Sequence, residues 1–519
     1  MKGFIQGLAS VVMTAVVLAG CGGLTSTGNP AALTPTAGGS SILPTPTRAG
    51  TNPAPTSSEP AATASVVAAT AAPTATLLPA AKNNQYQITA RFDYNRHTLS
   101  ADEQVTVTNS GPEAYANLAL QVEPDNQAGE FTLKSISLAG GQPTHDFTLA
   151  KNRLTISLAR PLLPGQSSQV SLSFELALPL IPPPSDTARP VVRGYTDRQT
   201  NLVDWFPYVP PYVAGQGWVI HDPGYFGEHQ VYPEADFDVT LTLVSPPAGL
   251  KIAAAGPAEA VSGGYHYLLT HARTFAWSAS PTYVVQTQTA GDVTILSYNF
   301  PLDDAAAKMA LKNTADAVTL YSQLFGPYQH STLTVVEADF LDGMEEDGLY
   351  FLSKGFYNLY DGTPKGYLTI IAAHETAHQW WFGMVGSDQA MEPWLDEALS
   401  TYCERIYYEN IAPSALTWWW EVRVNYYKPR GFVDDSIYNP HHEASAYRAY
   451  RDAVYLNGAT FIEALRKQIG DDAFYAFLKD YCTQFTGKVA TSADFFSILR
   501  EHTSADLSTL IKTYFSTPR

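Results

Sequence analysis

Apolar and polar positions alternate with a period of two along residues 86–92, 104–108, 118–122, 169–174, 237–243 and 265–269. Such alternation, broken by turn residues, predicts antiparallel strands that face a core on one side. The pattern reaches about Val285 and predicts an all-β domain over residues 83–290. Within it, Trp205-Phe206-Pro207-Tyr208-Val209-Pro210-Pro211-Tyr212, Trp218 and Gly227-Glu228-His229 are too rich in proline and aromatics for a strand. They read as an ordered loop packed on the sheet, with a cleft lining as the alternative.

Near Val293 the period changes. One more strand, 294–298, precedes an amphipathic helix from about Asp303 to Phe325, opened by Asp303 and Asp304 and closed by Gly326-Pro327. Residues 333–337 then read as a buried strand, Asp342 to Gly348 as a loop, 349–352 as a strand, and the next helical pattern carries His374. Helical patterning continues to the C-terminus. The expected fold class is therefore α+β and multidomain, with a mainly α domain over residues 291–519.

The first 82 residues have a different character. Lys2 precedes an apolar run from Leu8 to Ala19, and Leu18-Ala19-Gly20-Cys21 is a small-residue site followed by cysteine, as in bacterial lipoprotein signal peptides. A signal over residues 1–20, cleavage before Cys21 and lipid on Cys21 are expected, an uncleaved anchor being the other reading. Residues 21–82 are dominated by Ala, Thr, Pro, Ser and Gly and cannot bury enough apolar area to offset ordering, so they read as a disordered tether. Both readings put the protein outside the cytoplasm, on a bacterial membrane. The net charge of −18 argues against nucleic acid and against a basic lipid-binding surface, which leaves acyl chains as the attachment. Cys403 and Cys482 remain open between a disulfide and buried thiols. Nothing in the sequence speaks to oligomeric state.

The candidate chemistry lies between His374 and Glu397. In His374-Glu375-Thr376-Ala377-His378 two imidazoles four apart on a helix share one face and can reach one zinc ion, with Glu375 able to reach a water beside it. Glu397, in Trp394-Leu395-Asp396-Glu397-Ala398, suits the third ligand position and leaves a fourth open. His221, His229, His441 and His442 stand at no metal-ligand spacing and read as non-catalytic.

These motifs resemble the zinc aminopeptidases of the aminopeptidase N and leukotriene hydrolase type, the gluzincin aminopeptidases. The resemblance rests on His374-Glu375-Thr376-Ala377-His378-Gln379-Trp380-Trp381-Phe382-Gly383, on Trp394-Leu395-Asp396-Glu397-Ala398, on Tyr455-Leu456-Asn457-Gly458-Ala459, and on Gly343-Met344-Glu345. It implies a saddle-like N-terminal β domain, a thermolysin-like catalytic domain, one zinc ion and peptide substrates. It assigns substrate binding to Gly343, Met344 and Glu345, with Glu345 on the free α-amine, and oxyanion stabilisation to Tyr455 rather than Tyr447 or Tyr450. Asp342 and Glu346 depart from the family's loop, whose Gly and Asn contacts do not carry over. With 64 residues after Tyr455, the family's large C-terminal helical domain is not expected. Glu375 is the expected general base. Three functions stay in view: a lipid-anchored aminopeptidase, an endopeptidase on the same fold, and a non-catalytic binding protein.

Overall fold

The computed structural model describes residues 83–138, 143–183, 191–439 and 446–519. The signal, the tether, Cys21, His441 and His442 lie outside the described residues. None of the described helices is long and apolar enough to cross a membrane.

The alternating runs form a seven-stranded sheet whose core strands are Ala235–Leu243, Asn84–Asp93, Thr98–Thr108 and Ser167–Ala177 in that order. Tyr86, Ile88, Ala90 and Phe92 point to the core while Gln85, Gln87, Thr89 and Arg91 are exposed, as the period requires. One pairing departs from the antiparallel expectation: Asn84–Asp93 runs parallel to Ala235–Leu243, with Asn84 opposite Ala235. The long excursion between the two strands returns the chain in the same direction, which a hairpin cannot do. Trp205 is fully buried, donates its indole N–H to the Phe275 carbonyl, and meets Phe206 and Trp277 edge-on. The proline–aromatic segment therefore packs on the sheet, as expected.

The second region is built on a five-stranded sheet ordered Val284–Ala290, Val293–Asn299, Thr332–Ala338, Leu349–Ser353 and Gly343–Glu346. Its central strand is buried at every position, as a parallel strand covered on both faces must be. Helix Asp304–Phe325 packs against helix Tyr367–Ala377, which carries His374 and is buried from Leu368 onward.

The segment expected as a loop, Asp342 to Gly348, is instead a hairpin. Gly343–Glu346 pairs antiparallel with Leu349–Ser353, and Asp347-Gly348 is its two-residue turn, with Gly348 at φ 75°. Asp-Gly between two short runs is a hairpin signal. The consequence is that Glu345, Glu346 and Asp347 are buried, not solvated.

After His378 the chain widens into a π-helical turn over Gln379–Met384, where Gly383 and Val385 donate to carbonyls five residues back, 2.8 and 2.9 Å away. The carbonyls this turn frees are met by a residue from the β region. Arg273, 3% exposed, donates to the carbonyls of Gly383 (2.9 Å), Met384 (2.9 Å), Lys488 (2.8 Å) and Tyr232 (2.7 Å). Burial lowers its pKa to about 10, with Asp347 opposing, so the guanidinium stays charged at neutral pH. A Cβ on Gly386 would stand 2.6 Å from that guanidinium, so the approach needs glycine.

Glu103 faces the β core at 1% exposure, with no hydrogen-bond partner on either carboxylate oxygen. Burial pushes its carboxyl well above the usual range. The folded state therefore holds a proton there that the unfolded chain has released, and stability falls as pH rises from the ordinary Glu range toward neutrality. Glu103→Gln is expected to flatten that decline and Glu103→Met to raise stability at neutral pH by about 1–3 kcal/mol. Thermal unfolding of parent and variants at acid and neutral pH measures both; identical pH dependence in parent and Glu103→Gln would contradict the assignment.

Candidate active site

Two helices build the centre. His374 stands near the end of Tyr367–Ala377 and His378 just past it, one turn on. Opposite them helix Trp394–Asn410 brings Glu397, and the ligand atoms of His374, His378 and Glu397 lie within 4.8 Å of one another. His374 Nε2 is 3.2 Å and His378 Nε2 3.7 Å from Glu397 Oε2.

The outer ring nitrogens are also engaged. Glu404 is seven residues, two turns, beyond Glu397 and so shares its face; its Oε1 is 3.0 Å from His374 Nδ1. One helix thereby grips both nitrogens of one imidazole, and an Nδ1–H donated to Glu404 leaves the Nε2 lone pair for a cation. Glu404 in turn accepts from Arg423 Nη2 (2.8 Å) and Nε (2.9 Å) and from Trp419 Nε1 (2.9 Å). Burial pushes its carboxyl up, but the Arg423 charge and the bonds from His374 and Arg423 outweigh this and hold it below its usual value. His378 Nδ1 meets Asp396 Oδ1 at 2.6 Å, and Gln389 bridges Asp396 Oδ2 (2.8 Å) and Glu345 Oε1 (3.3 Å). Burial lowers the His378 pKa, which favours the neutral ring that binds metals.

Glu375 lies within reach of this centre: its carboxylate, Glu345 and His378 form a second overlapping cluster. Its Oε2 is buried without a hydrogen-bond partner. Burial first, then the charges of Glu345, Glu397, Asp342 and Glu228, push its carboxyl well above the usual range. Burial likewise raises Glu345, Asp396 and Glu397. Such a surplus of buried carboxylates around two imidazoles fits a divalent cation, and two histidine nitrogens with one carboxylate form a zinc donor set.

Tyr455 Oη donates to Glu397 Oε1 at 2.5 Å, while burial and the Glu397 charge keep the phenol protonated. Gly458 permits this, since a Cβ there would stand 2.4 Å from the Ala398 Cβ. Gly343 is equally tight: its Cβ would lie 2.1 Å from Glu375 Oε1. Met344, part-buried, packs against the β-region core.

Sequence reasoning missed Glu228, Asp396, Gln389, Glu404 and Arg423. Glu228 clusters with Glu345 and Glu397 within 4.8 Å, so the loop that carries it does reach the cleft. Asp396 and Glu404 had a signal, their positions one before and seven after Glu397; Gln389 and Arg423 had none. Tyr450 is buried beside Tyr455, their ring centroids 6.1 Å apart, and Cys403 and Cys482 are both free and buried, which decides against a disulfide.

Fold and donor set together fit a zinc site of metallopeptidase type. Residues 309–514 match the Peptidase family M1 domain, the family whose motifs the sequence resembles. Aminopeptidase M1-D of Oryza sativa subsp. japonica is 25% identical over 229 residues, 40% of this chain and 25% of that protein. Aminopeptidase N of Lactococcus lactis subsp. lactis is 25% identical over 163 residues, 29% of this chain and 19% of that protein. The chain thus spans about a quarter or less of the length of these curated relatives. The M1 zinc metallopeptidase from Deinococcus radiodurans superposes with a TM-score of 0.59 at 18% identity, over 84% of this chain and 95% of that one, so the two share a fold. A variant of that metallopeptidase has been solved bound to a Tyr-Ser-Ala substrate.

Replacing Glu404 by Ala should leave Nδ1 of His374 without its acceptor and weaken zinc binding by about 10- to 100-fold. Glu375→Gln should leave zinc affinity close to the parent's. Competition with a chromogenic chelator reads both, and parent-like affinity in Glu404→Ala would remove Glu404 from the metal's support.

Proposed function

We propose that the chain is a zinc aminopeptidase that removes N-terminal residues from peptides. The observation that carries this reading is the acidic end wall beside the donor set. Glu345, 8% exposed, lies with Glu228 and Glu397 in one cluster, and no Lys or Arg pairs with Glu345 among the described residues. A buried carboxylate so placed suits an ammonium group at a fixed distance from the scissile carbonyl. An endopeptidase has no use for a cation site there.

Zinc bound by His374, His378 and Glu397 would supply Lewis acidity to the scissile carbonyl and to a water. Glu375 takes the proton of the attacking water on its carboxylate and passes it to the leaving amine. Tyr455, held protonated, donates from Oη to the carbonyl oxygen as negative charge develops. Met344 and Gly343 belong to the same edge strand as Glu345 and line the path of the substrate backbone.

Glu345→Ala should lower kcat/KM on free-amine substrates by about 10- to 100-fold, the loss of one charge-assisted hydrogen bond, with zinc retained. N-acetylated substrates should be poor for the parent and lose little more in the variant. Equal cleavage of blocked and free peptides by the parent would replace this reading with the endopeptidase one.

We propose further that residues 1–20 are a lipoprotein signal and residues 21–82 a tether from lipidated Cys21 to the enzyme, on the outer side of a bacterial membrane. The apolar run, the Leu18-Ala19-Gly20-Cys21 site and the Ala/Pro/Thr-rich composition support it. Cys21→Ser should move the protein from the membrane to the soluble fraction; a Cys21 found unmodified by mass spectrometry of membrane-derived protein would overturn it.

A further inference from the structure

Asp342, next to the edge strand, is not accounted for by the reaction itself. It is exposed, yet held at φ 76°, a left-handed conformation that strains a residue with a Cβ and that Asp tolerates better than most. Its Oδ1 accepts from Gly343 N at 3.1 Å and its carbonyl from Ser353 N at 2.9 Å, and it makes no ion pair among the described residues. Arg423, whose charge it feels, is buried and bound by Glu404 through two nitrogens. The backbone that follows it lies directly on Glu375, as the 2.1 Å approach at Gly343 requires.

The direction of the substrate follows from the aminopeptidase reading, on which this inference rests. Gly343–Glu346 is the edge of its sheet, where an extended peptide can lie alongside; Gly343 N is held by Asp342 Oδ1 and Glu346 O by Gln379. With the free amine at Glu345, the first carbonyl falls at the His374–His378–Glu397 centre, and the chain continues past Glu375. Strand residues advance about 3.4 Å each, so Gly343, two positions before Glu345, lies about 7 Å along that path, and Asp342 follows where the chain turns off the strand. This is the reach of the second and third residues of an extended substrate. The geometry points to Asp342 as a specificity-determining residue: its carboxylate selects peptides with Lys or Arg just beyond the scissile bond.

The test compares Ala-Lys-Ala with Ala-Glu-Ala on the zinc-loaded full chain, and alanine 4-nitroanilide, which has no second residue, reports the basic activity of the parent. Asp342→Asn and Asp342→Gly both suit the left-handed backbone, and their thermal midpoints report that the fold is kept. The parent should favour Ala-Lys-Ala by about three- to fivefold in kcat/KM, the scale of a solvent-exposed ion pair, and the preference should shrink in high salt. Both variants should bring the ratio close to one. No preference in the parent, or a ratio unchanged in both variants, overturns the proposal while leaving the aminopeptidase reading intact. A parent inert on the nitroanilide and on both peptides overturns that reading, and this proposal with it.

Discussion

The arrangement turns on one electrostatic constraint: Glu345, Glu375, Asp396 and Glu397 are all buried around two imidazoles. Carboxylates so close cannot all ionise in a dry site without a cation, and each is accordingly raised, by burial first and then by neighbouring carboxylates, Glu228 in the case of Asp396. Burial of unpaired charge costs several kcal/mol per ion, so these carboxyls either hold protons or ionise around a positive charge. On the proposed reading two kinds enter, the metal between His374, His378 and Glu397 and the ammonium of a substrate beside Glu345. On that reading the same deficit prepares both metal binding and amine recognition.

Such a deficit must be held in place by groups that are themselves satisfied. Glu404 answers this on one side, since Arg423 and Trp419 fix its carboxylate and leave it free to orient His374. On the other side Gln389 joins Asp396 to Glu345, so the orientation of His378 and of the Glu345 carboxylate share one amide. A change at Gln389 would therefore be felt at both, whereas Glu404 acts on the metal side alone.

Much of this was legible in the residues. His374, His378, Glu397 and Glu375 come together because helical spacing is a local rule, and the strands of the β region follow their period within a few residues. The strand Gly343–Glu346 reads as a loop in the sequence because Asp342, Glu345, Glu346 and Asp347 mask it, although Asp347-Gly348 is a turn signal. Glu228 and Arg273 were not legible for a different reason. Each is brought to the centre by the packing of the β region on the helical one, and no periodicity within the chain reports which loop of one region meets which turn of the other.

Those two residues also decide what the unit of function is. The matched domain, residues 309–514, contains the donor set, Glu375, Glu345 and Tyr455, and by motif alone it is complete. Yet the π-helical turn that directly follows His378 has its carbonyls capped by Arg273, and the acidic end wall is closed by Glu228, both from outside that span. A buried carbonyl left without its donor costs about 1–3 kcal/mol, and Arg273 serves several at once next to a metal ligand. Helix Tyr367–Ala377 can be built from local sequence, but the geometry just past its end requires the β region. The two regions are therefore one catalytic body, in which the sheet supplies part of the site as well as its support.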